Sequence, residues 1–131
     1  MDCVEALDDG VSRVLATLKS SGQLENTLVV FSSDQGFATG EHGFRTKLAP
    51  YDAYYRSPLI ISWPTKIAQG KVCSHPVNAT DLVATFSTIA DVPIPWKIHG
   101  RDLTPLLDDP ENAPWQNPCF LKLREIILAR M

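Results

Sequence analysis

The chain has 131 residues, of which 44% are hydrophobic and 21% charged, a composition typical of a globular domain rather than of a disordered segment. Its formal net charge is −3, and its 12 basic residues form no stripe of the kind that binds nucleic acid. No apolar run approaches the ~20 residues that cross a bilayer, and the acidic N-terminus lacks the pattern of a signal peptide. We therefore expect neither a nucleic acid nor a membrane as partner, and the compartment stays open.

The first predicted element is an amphipathic helix over residues 2–22. Apolar residues recur at three- and four-residue steps, which places them on one helical face: Val4, Leu7, Val11, Leu15 and Leu18. Gly22 stands where a helix commonly ends. We expect the apolar face of this helix to cover one side of a sheet.

Two apolar runs, residues 27–31 and 58–63, predict strands. Because neither run alternates with polar residues, we expect both strands to be buried on both faces, as in a parallel sheet between helices. A helix capped by Thr80 or Asp81 is predicted to follow and to end at Ala90. This order of elements predicts an α/β layered fold.

The C-terminal part of the chain changes character after Val92. Six prolines interrupt residues 92–118 and predict loops and turns there: Pro93, Pro95, Pro105, Pro110, Pro114 and Pro118. Residues 120–131 are apolar and basic, and they predict a short helix.

The segment that carries chemistry, Ser32–Gly36, follows the first predicted strand directly. In open α/β sheets, ligands bind beyond the carboxyl ends of the strands. Asp34 and Gln35 supply hard oxygen ligands there, which suit Ca²⁺ or Mg²⁺. An aspartate close to a glycine is also typical of a plain turn. Asp34-Gln35-Gly36 by itself therefore leaves open whether this segment binds a metal or only forms a turn.

A glycine-bounded loop, Gly40–Lys47, holds an acid, an imidazole and two cations, and Tyr51–Pro58 leads from it into the second strand. Cationic side chains beside an oxygen-ligated metal favour a tetrahedral anion such as sulfate or phosphate, because both stabilise negative charge on oxygen. Arg56 is expected to form a structural ion pair with Asp52.

The order of these motifs resembles the sulfatase family of the alkaline phosphatase superfamily. The series runs from Ser-Asp-x-Gly after a strand through Gly-Glu-His-Gly, a lysine and Arg-x-Pro-Leu-Ile to Trp-Pro, and the likeness covers residues 4–118. It implies a partial alkaline-phosphatase-like layered sheet with flanking helices and a Pro-rich C-terminal segment. Residues 1–118 would be the C-terminal portion of a sulfatase catalytic domain, and residues 119–131 a divergent tail.

The resemblance also implies roles for particular residues. Asp34 matches the aspartate that ligates the divalent cation, usually Ca²⁺, with Mg²⁺ as an alternative. Gln35 stands where the family usually has Asn or His, and its amide oxygen can still ligate although its side chain is one methylene longer. Lys47 matches the lysine that contacts the sulfate and is the catalytic candidate. His42 lies in the matching loop as a near-site residue without a defined role.

A sulfatase of this family works through a formylglycine, which is made from Cys or Ser in a Cys/Ser-x-Pro-x-Arg motif. That motif does not occur within residues 1–131: Cys73, for instance, has its proline one position late and no arginine. The aspartate pair that completes the cation site in the family is missing as well. We therefore expect a fragment of a sulfuric ester hydrolase that is inactive alone.

Two alternatives stay open. One is a catalytically inactive remnant that forms a homo-oligomer through exposed sheet edges. The other is a phosphodiester or phosphonate hydrolase of the same superfamily, which shares the metal layout. The natural sulfate ester substrate is not defined by the sequence, and neither is the compartment, since members of the family are often exported.

Overall fold

The computed structural model describes residues 2–47, 51–115, 119–123 and 126–130. Its helices are α1 Cys3–Ser20, α2 Asp52–Tyr55, α3 Ala79–Ala90 and α4 Thr104–Asp108. Its strands are β1 Val29–Ser32, β2 Ala38–Thr39, β3 Arg45–Thr46, β4 Leu59–Ser62, β5 Cys119–Leu123 and β6 Ile126–Arg130. The chain divides into two compact units, residues 1–31 with 60–69 and residues 32–59 with 70–131.

Helix α1 opens the first unit and confirms the helix predicted from the apolar periodicity. Asp2 caps it, since its side chain accepts a hydrogen bond from Val4 N and its own N–H donates to the Glu5 carboxylate at 3.0 Å. The helix ends two residues before Gly22, which adopts a left-handed φ of 72°. No side chain of α1 is buried among the residues that the structure describes, so the expected burial of its apolar face is not observed there.

Strands β1 and β4 form a two-stranded sheet and confirm both predicted strands. The expectation that they are buried on both faces is wrong: no residue of either strand is buried, and Ile60 on β4 is 61% exposed. The physical reason is the size of the sheet, because within the described residues it has two strands, too few to form a covered interior.

Helix α3 belongs to the second unit and begins earlier than the sequence indicated. Its N-cap is Asn78, not Thr80 or Asp81, and the Asn78 side chain accepts hydrogen bonds from both of their backbone N–H groups. Asp81 at the third helical position accepts in return from Asn78 N at 2.9 Å. This reciprocal capping box satisfies more backbone donors than a cap at Thr80 or Asp81 could.

A buried polar contact joins α3 to the segment that follows it. Asp81, whose side chain is 1% exposed, accepts from Arg101 N at 2.8 Å, and Thr85 Oγ1 accepts from Leu103 N at 2.9 Å. Gly100 makes this approach sterically feasible, since a Cβ atom there would lie 1.8 Å from the Thr80 carbonyl oxygen. The contact holds the small apolar core of the unit, which consists of Leu103, Leu106 and Trp115 with Val77, Leu82 and Ala113 around it.

The C-terminal part differs from the sequence interpretation in two places. The Pro-rich stretch contains α4, because Pro105 lies in the first helical turn, where a proline costs no hydrogen bond. The helix predicted over residues 120–131 is wrong: β5 and β6 form an antiparallel hairpin from Cys119↔Arg130 to Leu123↔Ile126. The aromatic and β-branched residues in these segments favour strands, and an isolated helix of this length would be marginal. The predicted domain boundary at 118/119 falls beside residues 116–118, which lie outside the described residues, as do 124, 125 and 131.

One structural feature, the length and apolarity of the helices, concerns the expectation that a membrane is not a partner. Within the described residues, no helix combines the length and the apolarity that a bilayer span requires.

The close approach at Gly100 gives a first prediction. Gly100→Ala should lower the free energy of unfolding by about 1–3 kcal/mol, because the new methyl group would overlap backbone rather than a mobile side chain. Gly10→Ala is the matched control: Gly10 lies inside α1 with nothing near its Cβ position, so the change should raise stability by about 0.5–1 kcal/mol. Urea unfolding followed by circular dichroism measures both, and equal effects of the two changes would contradict the proposed contact.

Candidate functional site

The candidate site is a loop cluster between Asp34 and Tyr55, organised by the short antiparallel ladder of β2 and β3. Ala38 pairs with Thr46, and Thr39 pairs with Arg45. Ala38 is fully buried and packs with Tyr54 of α2, which is 2% exposed. The ladder is therefore anchored on its inner side by α2.

Asp34, Gln35 and Lys47, the three site residues predicted from the sequence, lie together. Lys47 Nζ contacts Asp34 Oδ2 at 2.6 Å, and Gln35 Nε2 donates to the Lys47 carbonyl at 3.4 Å. The Gln35 backbone N–H donates to Asp34 Oδ1 at 2.7 Å. The fold thus connects the end of β1 with the residue that follows β3.

The Asp34–Lys47 ion pair is accessible to solvent, with side-chain exposures of 72% for Asp34 and 42% for Lys47. The hydrogen bond from the Lys47 ammonium lowers the pKa of Asp34, and the bond from Gln35 N–H lowers that pKa further. Exposed pairs contribute little to stability because water and salt screen them. The pair therefore matters for how the two charges of the site are arranged rather than for the fold.

The turn that carries Asp34 and Gln35 lies against the backbone of α2. A Cβ atom at Gly36 would lie 2.0 Å from the Ala53 carbonyl oxygen, so glycine is required at this position. The expected ion pair beyond α2 is confirmed, since Arg56 Nη1 lies 3.4 Å from Asp52 Oδ2. It belongs to the support of the site rather than to its chemistry.

His42 lies in the same loop but contacts a different part of it. Its imidazole stacks on Tyr51 with ring centroids 3.9 Å apart and planes at 15°, away from the Asp34–Lys47 hydrogen bonds. Its backbone adopts a φ of 54°, an uncommon value for a residue other than glycine. The structure thus places the His42 ring against Tyr51 and shows no contact of this ring with Asp34 or Lys47 among the described residues.

The described residues of the site supply part of the oxygen ligands that a divalent cation needs. Within the described residues, no group of three or more His, Cys, Asp or Glu side chains could hold a metal ion. An ionised Asp34 and the amide oxygen of Gln35 fit a hard cation in kind, but Ca²⁺ takes six to eight oxygen ligands. These two residues therefore fit such a cation as part of its coordination shell.

The ladder exposes one residue that sequence reasoning missed. Arg45 is exposed on β3, two positions before Lys47. Lys47 follows the end of β3 directly, so the signal in the sequence is an arginine two positions before the predicted sulfate-binding lysine.

The sequence of the chain matches one known protein family over more than half of its length. The sequence model of the sulfatase family matches residues 1–92, a range that includes Asp34, Gln35 and Lys47. The chain belongs to the sulfatase family. The family consists of sulfuric ester hydrolases, and the resemblance inferred from the motif order is confirmed.

Individual relatives agree with this membership. The N-acetylglucosamine-6-O-sulfatase of Bacteroides thetaiotaomicron is 37% identical over 119 residues, which cover 89% of this chain and 21% of that protein. The steryl-sulfatase of Mus musculus is 35% identical over 121 residues, which cover 81% of this chain and 19% of that protein. This sulfatase-family chain thus spans about a fifth of the length of these curated relatives.

Solved structures show the fold. A protein in complex with its substrate D-glucosamine-2-N,6-O-disulfate aligns with a TM-score of 0.82 and 37% identity, over 89% of this chain and 24% of that one. The phosphonate monoester hydrolase of Silicibacter pomeroyi aligns with a TM-score of 0.77 and 34% identity, over 86% of this chain and 22% of that one. The chain therefore has part of the alkaline-phosphatase-like sulfatase fold, with a small partial sheet.

The ion pair gives a prediction for the charge state of Asp34. In Lys47→Gln the pKa of the Asp34 carboxyl should rise towards that of an ordinary aspartate, without reaching it, because the hydrogen bond from Gln35 N–H remains. Because the folded-state pKa is lowered, the contribution of Asp34 to stability is present above the unfolded-state pKa and is lost as the pH falls through the folded-state pKa. A pH titration of the Asp34 side-chain carbon signal by NMR measures the shift.

The matched control for this titration is Lys71→Gln, because Lys71 pairs with Glu111 at 3.0 Å rather than with Asp34. The control should leave the Asp34 titration unchanged. An unchanged Asp34 pKa in Lys47→Gln would show that the pair does not form in solution.

Proposed function

We propose that this chain supplies the sulfate-binding and part of the cation-binding residues of a sulfatase that hydrolyses a sulfate ester. The observation that carries the proposal is the 2.6 Å contact between Lys47 Nζ and Asp34 Oδ2, which puts an anion-binding ammonium beside a cation-binding carboxylate. In this proposal, residues 1–118 correspond to the C-terminal portion of the catalytic domain and residues 119–131 to a divergent tail.

Each residue has a defined part. The Lys47 ammonium binds a sulfate oxygen and stabilises the negative charge that grows there during cleavage. Asp34 and Gln35 ligate a divalent cation, with Ca²⁺ favoured and Mg²⁺ as the alternative, through their carboxylate and amide oxygens. The cation, when bound, polarises the sulfate group. His42 orders the loop through its stack on Tyr51.

The nucleophile of the family comes from a Cys/Ser-x-Pro-x-Arg motif, and residues 1–131 do not contain this motif. None of the three cysteines therefore fits the formylglycine of the family. We propose on this ground that the chain alone binds a sulfate group without hydrolysing its ester.

The geometry further supports a coupling between cation and sulfate. Without a cation, the Lys47 charge is directed to Asp34. If Asp34 held a cation, the Lys47 ammonium would lose this partner and would be available to a sulfate oxygen. The two ligands should then bind cooperatively, and by thermodynamic linkage each strengthens the other equally.

Isothermal titration of the chain with inorganic sulfate, with and without calcium chloride, tests this coupling. We expect calcium to tighten sulfate binding about fivefold or more. Lys47→Gln should lose sulfate binding and keep or strengthen calcium binding, since the competing ammonium is gone. Asp34→Asn should lose the calcium effect, and Lys71→Gln serves as the control. Sulfate binding that depends neither on calcium nor on Lys47 would contradict the proposal.

A phosphonate or phosphodiester substrate is the second enzymatic candidate, favoured by the structural similarity to the phosphonate monoester hydrolase. A titration with methyl sulfate and with a methylphosphonate monoester separates the two. Tighter binding of the phosphonate would favour this candidate, and tighter binding of methyl sulfate favours the first. The names of the two curated relatives indicate that they act on N-acetylglucosamine 6-sulfate and on steryl sulfates. A sulfated sugar and a sulfated steroid are therefore alternative substrates for the proposed activity.

The remnant alternative predicts self-association. The apolar face of α1 is exposed, at 70% for Val4, 56% for Leu7 and 59% for Val14, and two copies of the chain could cover it mutually. Sedimentation equilibrium should then show a dimer that Leu7→Glu dissociates. Ala16→Glu, on the opposite face of α1, is the matched control and should not dissociate it. A monomer at high concentration would exclude this self-association.

A further inference from the structure

The outer side of the β2–β3 ladder presents a distinct group of side chains. Because side chains alternate across a strand, the buried Ala38 points inwards, and Thr39 and its partner Arg45 point outwards. Phe37 directly precedes β2, and Lys47 directly follows β3. We call Phe37, Thr39, Arg45 and Lys47 the ladder face.

The two cations of the ladder face are in different states. Lys47 is paired with Asp34 at 2.6 Å. Arg45 is exposed and forms no ion pair with any residue in the part of the chain that the structure describes. The neighbouring Glu41 does not neutralise it through a contact, since its two carboxylate oxygens accept from Thr39 N at 2.7 Å and from Thr39 Oγ1 at 3.4 Å.

The spacing of the two cations suits a ligand with two negative groups. Lys47 lies two positions after Arg45, and Cα atoms two positions apart are at most about 7 Å from each other. Two acidic groups on one sugar ring are also separated by several ångströms. The planar guanidinium of Arg45 can form a bidentate pair with a sulfate or a carboxylate. Phe37, which directly precedes β2 and is 58% exposed, offers an apolar surface to the carbon face of such a ring.

We propose that Arg45 binds a second anionic group of the substrate, so that the site selects sulfate esters carrying a further sulfate or carboxylate. This inference rests on the proposed function of Lys47 and adds a specificity residue to it. The substrate class is accordingly a polyanionic sugar rather than a neutral carrier of a single sulfate.

Titrations of the chain with galactose 6-sulfate and with galactose 2,6-disulfate, in calcium chloride at low ionic strength, test the inference. Two equivalent sulfates give up to about twofold tighter binding by statistics alone, and an exposed ion pair adds roughly a few-fold. We therefore expect the disulfate to bind about fivefold tighter than the monosulfate to the unaltered chain. The preference should shrink as salt screens the charges.

Variants of Arg45 test whether this residue causes the preference for the disulfate over the monosulfate. Arg45→Gln should reduce it to the statistical factor and change the affinity for the monosulfate by no more than about twofold. Arg45→Lys should keep part of the preference, since the charge remains without the bidentate fork. Arg13→Gln, on α1, is the matched control and should behave like the unaltered chain. Lys47→Gln should weaken the binding of both sugars.

The outcomes separate this inference from the proposed function. Equal binding of the two sugars by the unaltered chain, or a preference that survives in Arg45→Gln, overturns the role of Arg45 and leaves that of Lys47 standing. Failure of the unaltered chain to bind either sugar removes both.

Discussion

The chemistry of this chain depends on one contact, the ion pair between the Lys47 ammonium and the Asp34 carboxylate at 2.6 Å. It joins the turn after β1 to the residue after β3, and it lowers the pKa of the Asp34 carboxyl. In the proposed function the same pair would couple the two ligands, because a cation and the ammonium would compete for one carboxylate. Since both side chains are exposed, the pair contributes little to stability, and the fold is held by other contacts.

Those other contacts are close approaches of backbone and buried rings. Gly36 lies against the Ala53 carbonyl, and Ala38 is sealed by Tyr54, whose hydroxyl donates to the Glu41 carbonyl at 3.2 Å. They hold the inner side of the ladder and leave its outer side to solvent. The arrangement gives exposed cations a defined spacing, which flexible side chains on a free loop would lack. Specificity at an exposed site requires such a support.

The apolar face of α1 and the exposed strand residue Ile60 stand in contrast to this well-supported loop cluster. A helix with an amphipathic pattern gains most of its stability from packing that face, and here none of its side chains is buried. The chain matches about a fifth of the length of its curated relatives, so the sulfatase fold is represented in part. The exposed apolar face of α1 is the surface through which self-association is proposed.

The sequence alone determined the features that depend on near neighbours along the chain. Periodicity and capping residues predicted α1, apolar runs predicted β1 and β4, and the order of motifs led to the sulfatase family and to Asp34, Gln35 and Lys47. The cap at Asn78 and helix α4 also have local causes, since Asn78 and Asp81 are three residues apart and Pro105 lies in the first helical turn, although the sequence interpretation missed both. The C-terminal strands β5 and β6 depend on their pairing with each other, which local propensity does not encode. The burial of strands and the position of Arg45 depend on which segments pair across the sheet, and register between distant residues is a property of the tertiary structure.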